Sequence, residues 1–353
     1  MTAHAPYASP AEAARRLGVS AKALRIYEQS GLLIPVRTAA GWRTYGPAEM
    51  DRAAEIVALR ALGFSLAQIG RVLKGDAQEL EPALAAHQRT IEGEIRRLTG
   101  IAGKVQGLRN DLAKGSRPPA RDLVRLLMPA TDTSIALNLP WPWGGERFEF
   151  RCGPLLTYIV GPLGSGKTRL AQCLAEALPN ADFLGLERSK EVAKIQGQLN
   201  SDPDLKARVD AALAWIVGDG GQVSEALVAL MAGLEADGPD ALVIDMIEQG
   251  LDQDTQEALI AWLRHGRRDA RPLVFLTRSS TILDLGLALA SVGGDEAIIL
   301  CPANHSPPTY VAPYPGSPGY EAVATCLAAP QVRARTEGVI AWRPDSQRHA
   351  SPR

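Results

Sequence analysis

Leu156-Thr-Tyr-Ile-Val-Gly161-Pro-Leu-Gly164-Ser-Gly166-Lys167-Thr168-Arg-Leu170 decides how the larger part of this 353-residue chain is read. A short apolar, β-branched run is followed by a glycine-rich turn and then by an amphipathic helical pattern reaching about Leu178. The turn fits G-x-x-x-x-G-K-[ST], with Gly161, Gly164, Gly166, Lys167 and Thr168 in register. Glycines there let the backbone curl until consecutive N–H groups converge on phosphate oxygens, and the N-terminus of the following helix adds its positive dipole end. The motif therefore assigns Gly161, Pro162, Leu163, Gly164, Ser165, Gly166, Lys167, Thr168 and Arg169 to nucleotide binding. Lys167 is expected on the β/γ-phosphates and the Thr168 hydroxyl on Mg2+.

Downstream, Ala241-Leu-Val-Ile-Asp245 reads as a buried strand ending in a carboxylate, expected beside Thr168 on the same Mg2+. Pro272–Thr277 and Ala297–Cys301 are further strands, and Glu146–Arg151 alternates in the manner of an edge strand leading to the central one. Apolar runs alternating with helical stretches predict an α/β domain with a mostly parallel sheet. Pro302–Pro318 reads as a surface loop, in which Tyr310 or Tyr314 is a candidate contact for nucleotide or a partner. Tyr320–Leu327 reads as a short helix and Glu337–Trp342 as a last strand.

Leu242-Val-Ile-Asp245-Met-Ile-Glu248-Gln-Gly250-Leu251-Asp252 resembles the Walker B segment and D-loop of the ABC-type ATPases. Gly218-Asp-Gly-Gly-Gln222 resembles their signature loop, and Thr277-Arg278 stands where they have a switch histidine. Trp141 or Trp143 lies at a suitable distance before Lys167 to stack on adenine. The resemblance implies ATP and Mg2+ as cofactors, held by residues 161–169 and Asp245. Three positions depart from it: Met246 replaces the glutamate that polarises water, Arg278 replaces the histidine, and Asp219 places an anion where a serine would approach the γ-phosphate. Proton handling and transition-state alignment each contribute roughly 10²-fold or more. ATP binding with weak or absent hydrolysis is expected, with Glu248 as the stand-in catalytic base.

Upstream, Ser9-Pro10 and Ser20 read as helix starts and Gly18 as a stop, with Glu12 in the capping-box position. Helices over about 10–17 and Ala21–Gln29 make a helix-turn-helix. Arg37 to Tyr45 then reads as a β-ribbon turning near Ala40-Gly41, with helices at Pro47–Leu62 and Ser65–Leu73. Leu24-Arg25-Ile26-Tyr27-Glu28, Gly31-Leu32-Leu33-x-Pro35-x-Arg37, Gly41-Trp42-Arg43-x-Tyr45 and Leu62-Gly63-Phe64-Ser65-Leu66-x-x-Ile69 resemble the winged helix-turn-helix of MerR-family bacterial regulators. The resemblance implies that helix Ala21–Gln29 enters a major groove of promoter DNA and that the wing follows the backbone. Lys22, Arg25, Tyr27, Arg37, Trp42, Arg43 and Tyr45 are then the candidate DNA contacts. Ile26 departs from the family's second aromatic.

From Leu80 the apolar stripe Leu84, Ile91, Ile95, Leu98, Ile101, Val105, Leu108 and Leu112, with His87 on it, forms a narrow helical seam. One helix cannot bury such a seam alone, so a homodimer through residues 80–112 is expected. The MerR resemblance implies that the two helices pair antiparallel.

The whole-chain totals agree with this division. Residues 1–115 hold 16 Lys/Arg against 11 Asp/Glu, and the remainder 22 against 28, so the front end tolerates a polyanionic partner. Cys152, Cys173, Cys301 and Cys326 are too scattered for a disulfide framework or zinc ribbon. No apolar run approaches the roughly 20 residues of a membrane span, and no basic-then-apolar leader opens the chain, so the cytoplasm is expected. The expectation is a multidomain protein: a winged helix-turn-helix at 1–77, a dimerisation coiled coil at 78–115, a hinge at 116–122, a P-loop ATPase-like domain at 123–345 and a tail at 346–353. It is read as a DNA-binding transcription regulator whose ATP–Mg state controls promoter distortion, with RNA polymerase as a further candidate partner. The alternatives are an active DNA-dependent ATPase, or a small-molecule kinase with Asp219 or Glu248 as base.

Overall fold

A computed structural model describes residues 7–76, 78, 80–113, 134–266, 271–285 and 296–328. The hinge 116–122, the strand Glu337–Trp342 and the tail 346–353 expected from sequence lie outside them. Residue contacts divide the chain into two compact units. One joins Met1–Thr133 with Lys206–Ser224 and Asp252–Asp269; the other comprises Ser134–Leu205, Glu225–Leu251 and Ala270–Arg353.

The front segment begins with α1 (Pro10–Leu17), where Ser9 Oγ accepts the Glu12 N–H and Gly18 closes the helix at φ 67°. Glu12 does not complete a capping box; its carboxylate pairs with Arg16 one turn on. In α2 (Ala21–Gln29), Ser20 accepts the Ala23 N–H at 3.0 Å. Strands β1 (Val36–Arg37) and β2 (Arg43–Thr44) pair antiparallel, and Gly41 at φ 80° makes the turn. Then come α3 (Pro47–Ala61) and α4 (Leu66–Val72), the latter started by a Ser65–Gln68 capping box. Leu24, Tyr27, Leu33, Tyr45, Ile56, Phe64 and Ile69 form one core. At about 1.5–3 kcal/mol for each large apolar side chain removed from water, this cluster organises the small helices around it.

Helix α5 (Leu80–Ala113) runs 34 residues, within the coiled coil expected at 78–115. Leu84, Ile91, Ile95 and Val105 are exposed along it. The side chains of Leu98, Ile101, Leu108 and Leu112 lie outside the described residues.

Beyond it the elements are β3 (Ser134–Asn138), β4 (Arg147–Arg151), β5 (Leu156–Val160), α6 (Lys167–Ala177), β6 (Ala181–Leu184), α7 (Val192–Ser201), α8 (Pro203–Gly218), α9 (Glu225–Glu235), β7 (Ala241–Ile244), α10 (Gln253–Ala261), β8 (Leu273–Leu276), β9 (Glu296–Leu300), β10 (Thr309–Val311) and α11 (Tyr320–Cys326). Six strands form one sheet in the order β10-β9-β5-β8-β7-β6. All its pairings are parallel except β10 on β9. Strands β5, β7 and β8 are buried at every residue, as continuous apolar strands are when both faces of a parallel sheet are covered.

The expected edge strand is not part of this sheet. Strand β4 pairs instead with β3 in a separate antiparallel ribbon, sending Phe148 and Phe150 into the core with Ile159, Leu170, Leu174 and Val274. Alternation showed which face of β4 is buried, but it carries no information about which strand lies beside it. Strand β10 arises inside the stretch read as a loop.

Candidate functional site

Strand β5 ends at Val160 and α6 starts at Lys167, and the glycine-rich turn between them is shaped by its surroundings. Gly164 (φ 78°) and Gly166 (φ 90°) adopt left-handed conformations that other residues resist. A Cβ at Gly161 would collide with the Cys301 carbonyl and with Ser165 Oγ. One at Gly166 would stand 2.7 Å from the Trp143 ring. His305, buried and at φ 56°, donates from Nε2 to the Gly164 carbonyl at 2.9 Å. Lys167 Nζ donates to the carbonyls of Gly161 (2.8 Å) and Pro162 (2.6 Å), and burial lowers its pKa. Ser165 Oγ is buried without a partner among the described residues. A half-buried ammonium and an orphaned buried hydroxyl in a curled glycine turn are the donor set an anionic phosphate satisfies. The residues present fit that group.

Asp245 follows β7 and is 3% exposed. Its backbone N–H donates to Leu184 O at 2.9 Å, and its Oδ2 accepts from Thr168 Oγ1 at 3.1 Å. Strand β8 lies between β5 and β7, so this hydroxyl–carboxylate pair joins segments that are not sheet neighbours. Burial raises the Asp245 pKa, against the opposing pull of the Thr168 hydroxyl, Arg188 and Lys167. The oxygens of Thr168 and Asp245 are ligands of the kind Mg2+ takes.

Arg188 is a participant the sequence reading missed, since nothing marks it within Glu187-Arg188-Ser-Lys190. It is buried and donates to the carbonyls of Gly185 (3.0 Å), Asp245 (2.7 Å) and Met246 (2.6 Å), pinning the turn after β7. Met246 sits there at φ 45°. Glu248 Oε1 accepts the Arg278 backbone N–H at 2.7 Å. Burial raises the Glu248 pKa, and the bonds from Arg278 and Thr277 together with the Arg188 charge act against it.

Of the two tryptophans proposed to stack on adenine, Trp143 belongs to the core, with Nε1 donating to Ser306 O at 3.1 Å. Trp141 is 77% exposed. Tyr310 is likewise a packing residue: its hydroxyl accepts the Arg151 N–H at 2.7 Å and its ring stacks with Phe148. Tyr314 is exposed.

In the front segment, Arg25, Arg37 and Trp42 are exposed, and Arg37 braces the ribbon by donating to Gly41 O at 3.0 Å. Arg43 pairs with Glu28 at 2.8 Å, and the Tyr45 hydroxyl donates to the other oxygen of the same carboxylate. Tyr27 and Tyr45 are buried in the core, and burial raises both phenol pKa values. Both rings pack in the front core. Lys22 is engaged with Glu257 at 2.8 Å.

Asp219 also departs from its sequence reading. Instead of an anion aimed at a γ-phosphate, it is a buried carboxylate held by Arg60 (Nη2–Oδ2 2.8 Å, Nη1–Oδ1 3.1 Å) and by the Leu66 N–H (2.6 Å). Burial raises its pKa, opposed by Arg60 and the Leu66 N–H. Held by Arg60 and the Leu66 N–H of the front segment, it is not placed to serve as a catalytic base.

The pattern of the MerR HTH family regulatory proteins matches residues 9–76. A "Probable heavy metal-dependent transcriptional regulator" of Haemophilus influenzae is 36% identical over 102 residues, 27% of this chain and 80% of that protein. Nodulation protein NolA of Bradyrhizobium elkanii is 34% identical over 209 residues, 55% of this chain and 91% of that protein. Among solved structures, HiNmlR, a MerR family regulator lacking the sensor domain and bound to promoter DNA, covers 31% of this chain and 97% of its own at 25% identity (TM-score 0.26). An ATP-binding cassette of an ABC transporter in its ADP conformation covers 58% and 99% at 12% identity (TM-score 0.36). No helix among the described residues is long and apolar enough to cross a membrane. With its matched front segment, and with relatives of this identity aligned over most of their own length, the chain belongs to the MerR HTH family of regulatory proteins.

Proposed function

We propose that this regulator is a homodimer that binds promoter DNA through its winged helix-turn-helix and binds ATP with Mg2+ at its P-loop, the nucleotide state setting how far the paired heads distort the promoter. The observation that carries the reading is the Thr168 Oγ1–Asp245 Oδ2 pair at 3.1 Å beside the Lys167 turn. The backbone N–H groups of 163–167 and Lys167 Nζ would hold the phosphates, Thr168 and Asp245 the Mg2+, and Trp141 the base. Bound ATP–Mg2+ would supply a compact charge cluster that only one arrangement of the surrounding chain fits well. A ligand shifts a conformational equilibrium only through such differential affinity. Lys22, Arg25, Arg37 and Trp42 would meet DNA, mostly at its phosphates. Two heads on paired α5 helices would take two half-sites, where bending or untwisting the intervening DNA is itself a readout. RNA polymerase is the partner that would read that distortion.

Turnover is expected to be slow. Met246 has no proton acceptor, and the Glu248 carboxylate is tied to Arg278 N–H. One observation favours the second reading, a DNA-stimulated ATPase: burial moves the Glu248 pKa up, in the direction of a general base. Turnover at tens per second in the presence of DNA would select it.

Calorimetry with ATP and Mg2+ tests the leading reading, wild type against Lys167→Ala, followed by DNA binding with ATP, ADP and no nucleotide. Uptake by the wild type, at least tenfold weaker in the variant, with DNA affinity that follows the nucleotide, is the expected result. Absence of any adenine or guanine nucleotide uptake overturns it.

A further inference from the structure

Within the first unit, the helix read above as the groove-entering element is not free. The ammonium of Lys22, in its first turn, lies 2.8 Å from Glu257 Oε1 on α10. A buried set joins the head to the end of α8 as well. Asp219, just past the end of α8, takes Arg60 on two oxygens and the Leu66 N–H besides. Trp215 lies 5.0 Å beneath the Arg60 guanidinium and donates from Nε1 to Gly63 O at 2.8 Å. The chain also approaches closely at Gly218, where a Cβ would meet Ser65 and the Ala67 methyl, and at Gly63, where one would meet His265 O. Asp219 and its partners are more than 150 residues apart in sequence.

Two physical consequences follow. A carboxylate on Lys22 competes with a DNA phosphate for the same ammonium. A major groove about 12 Å wide admits one helix of about 10–12 Å diameter, not two side by side. While Lys22 is paired with Glu257, α10 stands beside the first turn of α2, and the two could not enter one groove together.

We propose that the surface made by α8 and α10 is an internal docking site for the winged head, competing with DNA for helix α2 through Glu257 and anchored by Asp219. The described arrangement is then the DNA-released one. This rests on the reading of α2 as the DNA-recognition helix. The device is wired to the nucleotide site by chain connectivity: only Met246 to Leu251 separate Asp245 from Asp252, whose side chain caps α10.

The test is a reversible lock in the full chain. Ala67→Cys with Gly218→Cys would place two sulfurs where the built Cβ lies 3.4 Å from the Ala67 Cβ, near disulfide spacing. Duplexes are first selected from a random-sequence library on the reduced double variant, and affinity is then measured oxidised and reduced, with wild type under both conditions as control. The expected result is at least tenfold weaker binding when oxidised, restored by reductant. A second, milder variant, Glu257→Gln, is expected to bind the same duplexes a few-fold more tightly than wild type. Equal affinity in the two redox states with the disulfide formed, or no gain in Glu257→Gln, overturns the docking site alone. If neither the reduced variant nor wild type enriches any duplex, the recognition-helix reading itself falls, and the docking site with it.

Discussion

Asp245 illustrates at the residue scale how a binding group weighs on the fold that carries it. Its carboxyl is buried, and burial raises its pKa above the ordinary 3.8 despite Thr168, Arg188 and Lys167. For a carboxyl with a raised folded pKa, the favourable contribution is full below the unfolded value and is lost as pH rises through the folded one. At neutral pH, ionised Asp245 therefore weakens the nucleotide-free fold. Asp245→Asn is expected to melt a few degrees higher than wild type at pH 7 without nucleotide, the gap shrinking as pH falls through the folded pKa. The same variant should lose the rise in melting temperature that ATP–Mg2+ gives wild type. Melts across pH, with and without nucleotide, check both signs. His305 makes a similar point, since its bond to Gly164 O braces the turn from far along the chain. His305→Ala is expected to weaken nucleotide binding several-fold and, because it empties a buried site at φ 56°, to lower the pH 7 melting temperature by a few degrees, as calorimetry and a melt would show.

At the element scale, helix α5 leaves Leu84, Ile91 and Ile95 exposed on one chain. Their spacings of seven and four are those of a coiled-coil seam. If a second copy covers them, each isoleucine contributes about 1.5–3 kcal/mol on burial. Ile91→Glu with Ile95→Glu should then raise the dimer dissociation constant by well over tenfold, read by sedimentation equilibrium, while the secondary structure stays helical. Elements were legible wherever local chemistry dictates them. Ser20 and Ser65 cap the helices expected there, Gly41 turns the ribbon, and the glycine turn sits between β5 and α6. Strand β10 was not legible, because Thr309–Val311 is three residues long and its pairing with β9 comes from distant chain.

For the molecule as a whole, the decisive group is the Arg60–Asp219 pair, with side chains 10% and 3% exposed. Removing one member of a buried pair leaves the other charged and unpaired, a loss of about 3–5 kcal/mol. Asp219→Ala should lower the stability of the first unit by that order in denaturant unfolding. Arg60→Met added to Asp219→Leu should recover part of the loss, because an apolar pair avoids the desolvation of both charges. No sequence pattern announced this pair. Asp219 lies in a glycine-rich loop that reads naturally as part of a phosphate site, and Arg60 looks like one more solvated cation at a helix end.

The sequence alone determined what rests on neighbours along the chain: caps, turns, the period of each helix, the glycine cradle around Lys167 and the family of the front segment. These follow from backbone sterics and local hydrogen bonding, which a few consecutive residues settle. Only the tertiary structure decided which charges are spent on the fold. It buried Tyr27 and Tyr45, gave Glu28 to Arg43, turned Asp219 toward Arg60 and set Glu257 on Lys22. A charge's role depends on the partner that packing brings within about 3 Å, and that partner can come from anywhere in the chain.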